Sequence, residues 1–193
     1  MERFRNRNDR GFTLVELALV LVIIGLLITG VLKGEALIQN AKVKKLVNQK
    51  ESLTAAYYAF YDKYNQYPGD ENMTNAPEGD TNQGNANGQI AGNEIWWLFQ
   101  DLVLARIVNG NYTGAANDVP VNAFGSWIRI EYIGTPPGST AALSSNCITM
   151  NAIPYDVAEE IDRKYDDGAN NTGSIRANSA YTTQTAKIVY WRM

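Results

Sequence analysis

Three groups of residues in this 193-residue chain combine types and spacings that suit chemistry. Glu16 is the single charge between Phe12 and Leu32, a run otherwise free of Asp, Glu, Lys and Arg. A carboxylate at the centre of a bilayer costs about 2.5–3.5 kcal/mol on insertion scales, so such a residue usually has a partner. Glu16 either lies near the membrane edge and snorkels or protonates, or it waits for a positive group on another subunit. The second group is Gln83-Gly84-Asn85-Ala86-Asn87-Gly88-Gln89-Ile90-Ala91-Gly92-Asn93-Glu94, whose order of oxygen side chains, glycine and final Glu follows a calcium loop. Asn85, Asn87, Gln89 and Glu94 are its candidate ligands, and Asp80 reaches in from upstream. Gln stands first where Asp is needed and only one carboxylate remains, so binding would be weak. Ordinary Asn-Gly turn chemistry fits the same letters. The third group, Glu159, Glu160, Asp162, Asp166 and Asp167, reads as the solvated face of a short helix.

Composition removes most other chemistry. No histidine is present, which excludes His-ligated metals and His-based triads. The one cysteine, Cys147, excludes an internal disulfide and Cys-pair metal sites, and beside Ile148 it reads as a small buried residue. A net charge of −3 argues against nucleic acid, which asks for clustered Lys and Arg. No cofactor is required, although calcium stays open, and no enzyme is expected.

The elements that must position Glu16 begin with an anchor. Arg3, Arg5, Arg7 and Arg10 precede the apolar run, which at about 1.5 Å per residue forms ~30 Å of helix, the depth of a hydrocarbon core. Positive residues on that side place it in the cytoplasm and the remainder outside. A cleaved secretory signal fits poorly, because the run is too long and no A-x-A-like site follows.

Arg10-Gly11-Phe12-Thr13-Leu14-Val15-Glu16-Leu17, leading straight into the apolar run, resembles the signature of type IV pilins and type II secretion pseudopilins. The resemblance implies that a prepilin peptidase cuts between Gly11 and Phe12 and that the new amine of Phe12 is methylated. It also implies a bacterial inner-membrane location, an assembly platform with a cytoplasmic ATPase, and a homopolymeric or mixed pilin filament that can reach the cell surface. Glu16 of one subunit would then neutralise the Phe12 amine of a neighbour in low dielectric, where leaving either alone is expensive. Two departures favour a pseudopilin or minor pilin over a major one: Lys33 stands where a helix-bending Pro is common, and the lone Cys147 forbids a carboxyl-terminal disulfide. The alternative is a membrane-anchored periplasmic binding domain that never polymerises, with the loop above as its calcium-dependent element.

Beyond the membrane, Leu46, Leu53, Tyr57, Phe60 and Tyr64 form one helical stripe among Lys, Glu and Asp. One helix is expected from Thr13 to Asn65, ended by Pro68-Gly69. The aromatics Tyr57, Tyr58, Phe60, Tyr61, Tyr64 and Tyr67 suit packing of helix on sheet. A Gly/Asn-rich loop over 69–93 leads to a second helix capped by Asn93, carrying Trp96, Trp97, Phe99, Leu102, Val103 and Ile107, and closed by Asn109-Gly110. Strands are expected at 127–133, 147–150, 173–177 and 186–192, with a short helix over 154–165. The expected class is α+β, a long helix packed on a small antiparallel sheet in a pilin-like head. Its organisation is a leader over 1–11, a membrane or filament-core half-helix over 12–33, an amphipathic half over 34–66, and a head over 67–193.

Overall fold

A computed structural model describes residues 11–193; the leader arginines lie outside the described residues. The elements in chain order are α1 (Leu14–Tyr64), α2 (Glu94–Leu104), β1 (Ile128–Ile133), β2 (Ser145–Ile153), α3 (Tyr155–Tyr165), β3 (Ile175–Ala177) and β4 (Lys187–Arg192). The chain divides into two units, residues 1–41 and 42–193, and α1 contributes to both.

In the first unit α1 has no Pro and no buried face. Leu14, Val15, Leu17, Leu21, Ile24, Leu27 and Val31 are all exposed, as are the apolar residues between them. This is the one helix among the described residues that is long and apolar enough to cross a membrane.

The second unit holds the core. Val43, Leu46, Val47, Leu53, Ala56, Tyr57 and Phe60 of α1 are buried in one cluster with Leu98, Phe99 and Leu102 of α2 and with Val157 and Ile161 of α3. The sheet order is β1-β2-β4-β3, antiparallel throughout. Cross-strand neighbours Ile130–Ile148–Trp191–Ile175 and Ile128–Met150–Val189–Ala177 place the apolar residues of all four strands on the face that joins this cluster. Tyr57 stacks on Tyr67 at 4.8 Å and Tyr67 on Tyr61 at 4.7 Å, so the aromatic block closes the head end of α1.

Several boundaries differ from expectation for local reasons. Asn65, at φ 56°, enters the left-handed region and donates its N–H to Tyr61 O at 2.6 Å, ending α1 before Pro68 is reached. Asn93 does not cap α2; it is itself helical, and its side chain makes no cap bond. At the other end Arg106 adopts φ 59°, its N–H donates to Val103 O, and that of Ile107 donates to Leu102 O. That pair of bonds is a Schellman ending without glycine, so Ile107 lies past the helix rather than in it. β2 is longer than expected at both ends: Ser145 and Asn146 pair with Ile133 and Tyr132 of β1, and past Met150 a bulge at Ala152, φ 55°, shifts the pairing before it resumes at Ile153.

Candidate functional site

Thr13 and Glu16 organise the start of α1. The Thr13 N–H and hydroxyl both donate to Glu16 Oε2 at 2.8 Å, and the Glu16 N–H donates back to Thr13 Oγ1 at 3.2 Å. This is a capping box, a Thr and a Glu three residues apart that satisfy each other's backbone donors. The letters Thr-Leu-Val-Glu carried that signal, and sequence reading passed over it in favour of the charge alone. Glu16 Oε1 accepts no hydrogen bond among the described residues. Phe12 is 82% exposed, and a Cβ added at Gly11 would meet no described atom within 4 Å. Packing among the described residues therefore does not require glycine at position 11.

In the head, the expected calcium segment folds as a chain of turns. Asn85 Oδ1 accepts the Asn87 N–H at 3.1 Å, and Asn87 Oδ1 accepts the Gln89 N–H at 2.7 Å. Glu94 Oε1 accepts from Asn85 Nδ2 at 2.9 Å, while its Oε2 accepts the Ala91 N–H at 2.9 Å. Asp70, buried, accepts the N–H groups of Asn87 at 3.1 Å and Gly88 at 2.6 Å. The Gly84 N–H donates to Glu71 O at 2.6 Å, and a Cβ on Gly84 would lie 2.4 Å from Asp70 Cα, so this close approach needs glycine. Asn85, Asn87 and Glu94 are thus brought together with their oxygens on protein donors. The Gln89 side chain takes no part in these bonds and is exposed.

Asp80 joins a different group. One carboxylate oxygen from each of Glu71, Asp80 and Asp101 lies within 4.8 Å of the others, and all three residues are buried. Glu71 and Asp101 were not singled out in the sequence. Glu71 Oε2 accepts the Met73 N–H at 2.7 Å, Asp80 Oδ1 that of Asn82 at 3.1 Å, and Asp101 Oδ2 that of Gly69 at 2.6 Å. Burial pushes Glu71 up to about 7, helped by its contact with the Asp80 carboxyl. Burial also pushes Asp101 up to about 8, with the Gly69 N–H opposing and the charges of Asp80 and Glu71 adding.

The folded chain therefore holds these protons more tightly than the unfolded chain, in which carboxyls ionise near pH 4. That preference stabilises the fold at pH 4–5 and is lost as pH rises toward 7 and 8, because the unfolded state then binds fewer protons. In chelator and detergent, the melting temperature of the head is expected to be several degrees higher at pH 5 than at pH 8.5; calorimetry across that range checks it.

The remaining groups serve the fold. Asp162 accepts from the Tyr181 hydroxyl at 2.7 Å, and Asp166 takes the N–H groups of Ser174 at 2.5 Å and Ile175 at 2.8 Å. Asp167 accepts from the Thr172 hydroxyl at 2.6 Å, and Glu159 pairs with Arg163 at 2.5 Å. Cys147 is buried, and burial raises its thiol to about 12, far from the thiolate a nucleophile needs.

Residues 6–32 match the prokaryotic N-terminal methylation motif, the signature of type IV pilins and pseudopilins. The match includes Gly11, Phe12, Thr13 and Glu16 and leaves the head outside it. No curated protein matches the chain.

Proposed function

We propose that the chain is a filament subunit: trimmed between Gly11 and Phe12 by a prepilin peptidase, methylated on Phe12, and stacked through its apolar helix into a pilus or secretion pseudopilus. The observation that carries this reading is the methylation motif lying directly on the first part of α1, where the apolar residues through Ile38 are exposed all round, with Glu16 near its start. Such a surface demands lipid before assembly and other subunits after it. The Gly11–Phe12 junction is exposed and lies outside α1, which suits access by a peptidase. A basic leader and an acidic remainder fit an amino terminus in the cytoplasm and a head on the far side of the inner membrane. An assembly platform and its ATPase are the partners such a subunit requires.

The Glu16 carboxylate is proposed to neutralise the methylated Phe12 amine of an adjoining subunit, fixing axial register as each copy enters. Mass spectrometry of the amino terminus tests the reading, with sheared surface filaments and membranes measured separately. A peptide beginning at methylated Phe12 and abundant in sheared material is the result expected of a surface pilus subunit. The same peptide confined to membranes assigns a pseudopilin or scarce minor pilin. An intact Met1 in cells that hold prepilin peptidase overturns processing and leaves an anchored, non-polymerising periplasmic domain.

A further inference from the structure

Glu71, Asp80 and Asp101 come from three places: the chain just after α1, the turn that follows Pro77, and the last turn of α2. They are 1%, 5% and 1% exposed. Each has one oxygen on a backbone N–H, which leaves the other to be accounted for. Asp80 Oδ2 and Asp101 Oδ1 are buried and accept from no backbone N–H, amide or hydroxyl, and Asp80 meets the Glu71 carboxyl only when a proton lies between them. A buried carboxylate oxygen without a donor is costly, and two beside a third carboxylate are costlier, since like charges in low dielectric repel. The charges acting on Glu71 and Asp101 are those of other carboxylates, with no Lys or Arg among them. The convergence of acidic groups and the two orphaned oxygens are separate observations, and together they ask for a positive ligand.

We propose that Glu71, Asp80 and Asp101 bind a calcium ion in the head. The donor set is oxygen only and anionic, which suits a hard divalent cation and not a soft one. Two oxygens on opposite sides of a calcium ion, each at about 2.4 Å, lie about 4.8 Å apart. Oxygens within 4.8 Å of one another therefore fit around one such ion. The ion would fasten the segment 69–80 to α2, and through the Glu71–Gly84 and Asp70–Gly88 bonds it would also steady the loop over 84–88. Only Asp80 is shared with the calcium-loop residues read from the sequence. The inference concerns the head alone and stands whether or not the chain polymerises.

The test is calcium titration of the full chain in detergent, by calorimetry and by thermal melting against a chelator baseline. Calcium is expected to bind one ion per chain and raise the melting temperature by several degrees. Asp101→Asn should weaken binding at least tenfold and erase the shift, while melting in chelator at pH 8.5 no lower than wild type, because at that pH it removes one of three crowded charges. Should that variant fail to fold by circular dichroism, Asp80→Asn carries the same expectation. Wild-type protein with no response to millimolar calcium overturns the proposal. A full response in a folded Asp101→Asn or Asp80→Asn protein also overturns it. Loss of the response in Glu94→Gln with retention in Asp101→Asn would move the ion to the 85–94 segment and overturn it too.

Discussion

Glu16→Gln and Glu16→Ala proteins will both reach the membrane and be cleaved after Gly11, and neither will enter filaments at more than about a hundredth of the wild-type level. The two variants separate the roles that the structure gives this side chain. Through Oε2 it caps α1 with Thr13, and through its charge it is proposed to meet a neighbour's amine. Alanine removes both roles, although Thr13 Oγ1 still caps the residue-16 N–H, so the loss of the return bond to Thr13 costs about 0.5–1.5 kcal/mol of helix stability. Glutamine keeps the cap, since a capping box accepts either Glu or Gln, and removes only the charge. An amine left alone in the hydrocarbon costs about 2.5–3.5 kcal/mol per subunit, which corresponds to roughly a hundredfold in incorporation. Immunoblots of sheared and membrane fractions give the readout. Glutamine at wild-type incorporation alongside a defective alanine variant would leave only the cap and discard the charge pairing.

The sequence made the regular elements legible because their signals are local. α1 announces itself by length and lack of Pro, and its buried stripe Leu46, Leu53, Tyr57, Phe60 falls where helical spacing puts it. The four strands appear where β-branched and aromatic residues gather, with boundaries off by one to a few residues. Endings were harder, because conformations that favour glycine were taken by Asn65, Arg106 and Ala152. Each is held there by its surroundings, which no propensity scale contains. The head's carboxylate cluster was hidden for a stronger reason. Asp101 sits in Glu-Ile-Trp-Trp-Leu-Phe-Gln-Asp-Leu-Val-Leu, where a polar letter reads as the outer face of α2, yet it is buried. Its partners Glu71 and Asp80 lie in a segment without helix or strand, which tertiary bonds bring into place: the backbone bonds between 70–71 and 84–86, and that of the Gly69 N–H to Asp101. By contrast, the Asn85 and Asn87 turns span two residues each and needed no tertiary structure to form.

Lys187→Met will lower the stability of the head by about 3 kcal/mol, the largest loss expected from a size-matched change in its sheet. Lys187 opens β4 on the same face as Val189 and Trp191 and is fully buried. Its ammonium donates to Ser179 Oγ at 2.9 Å, Ala180 O at 2.8 Å and Thr183 O at 2.9 Å, with Thr185 Oγ1 at 3.5 Å. A buried charge is tolerated here because neutral oxygens surround it, and those oxygens come from the turn over 179–185, which the ammonium holds together. Methionine fills the volume but donates nothing, so two backbone carbonyls and a hydroxyl lose their donor; each such group costs about 1–3 kcal/mol when it stays buried. Relaxation of the turn into water recovers part of that, which leaves about 3 kcal/mol, or roughly 6–12 °C of melting temperature for a domain of this size. A fall under 2 °C would mean that the turn rearranges freely and the ammonium does not hold it. The same variant also bears on the carboxylate cluster. Lys187 shares no hydrogen-bond partner with Glu71, Asp80 or Asp101, so the two changes should add. The Lys187→Met head should melt early and still gain the full calcium shift. The head would then hold these two buried groups by opposite means: a fixed cation ringed by neutral oxygens, and fixed anions that need a cation from solution.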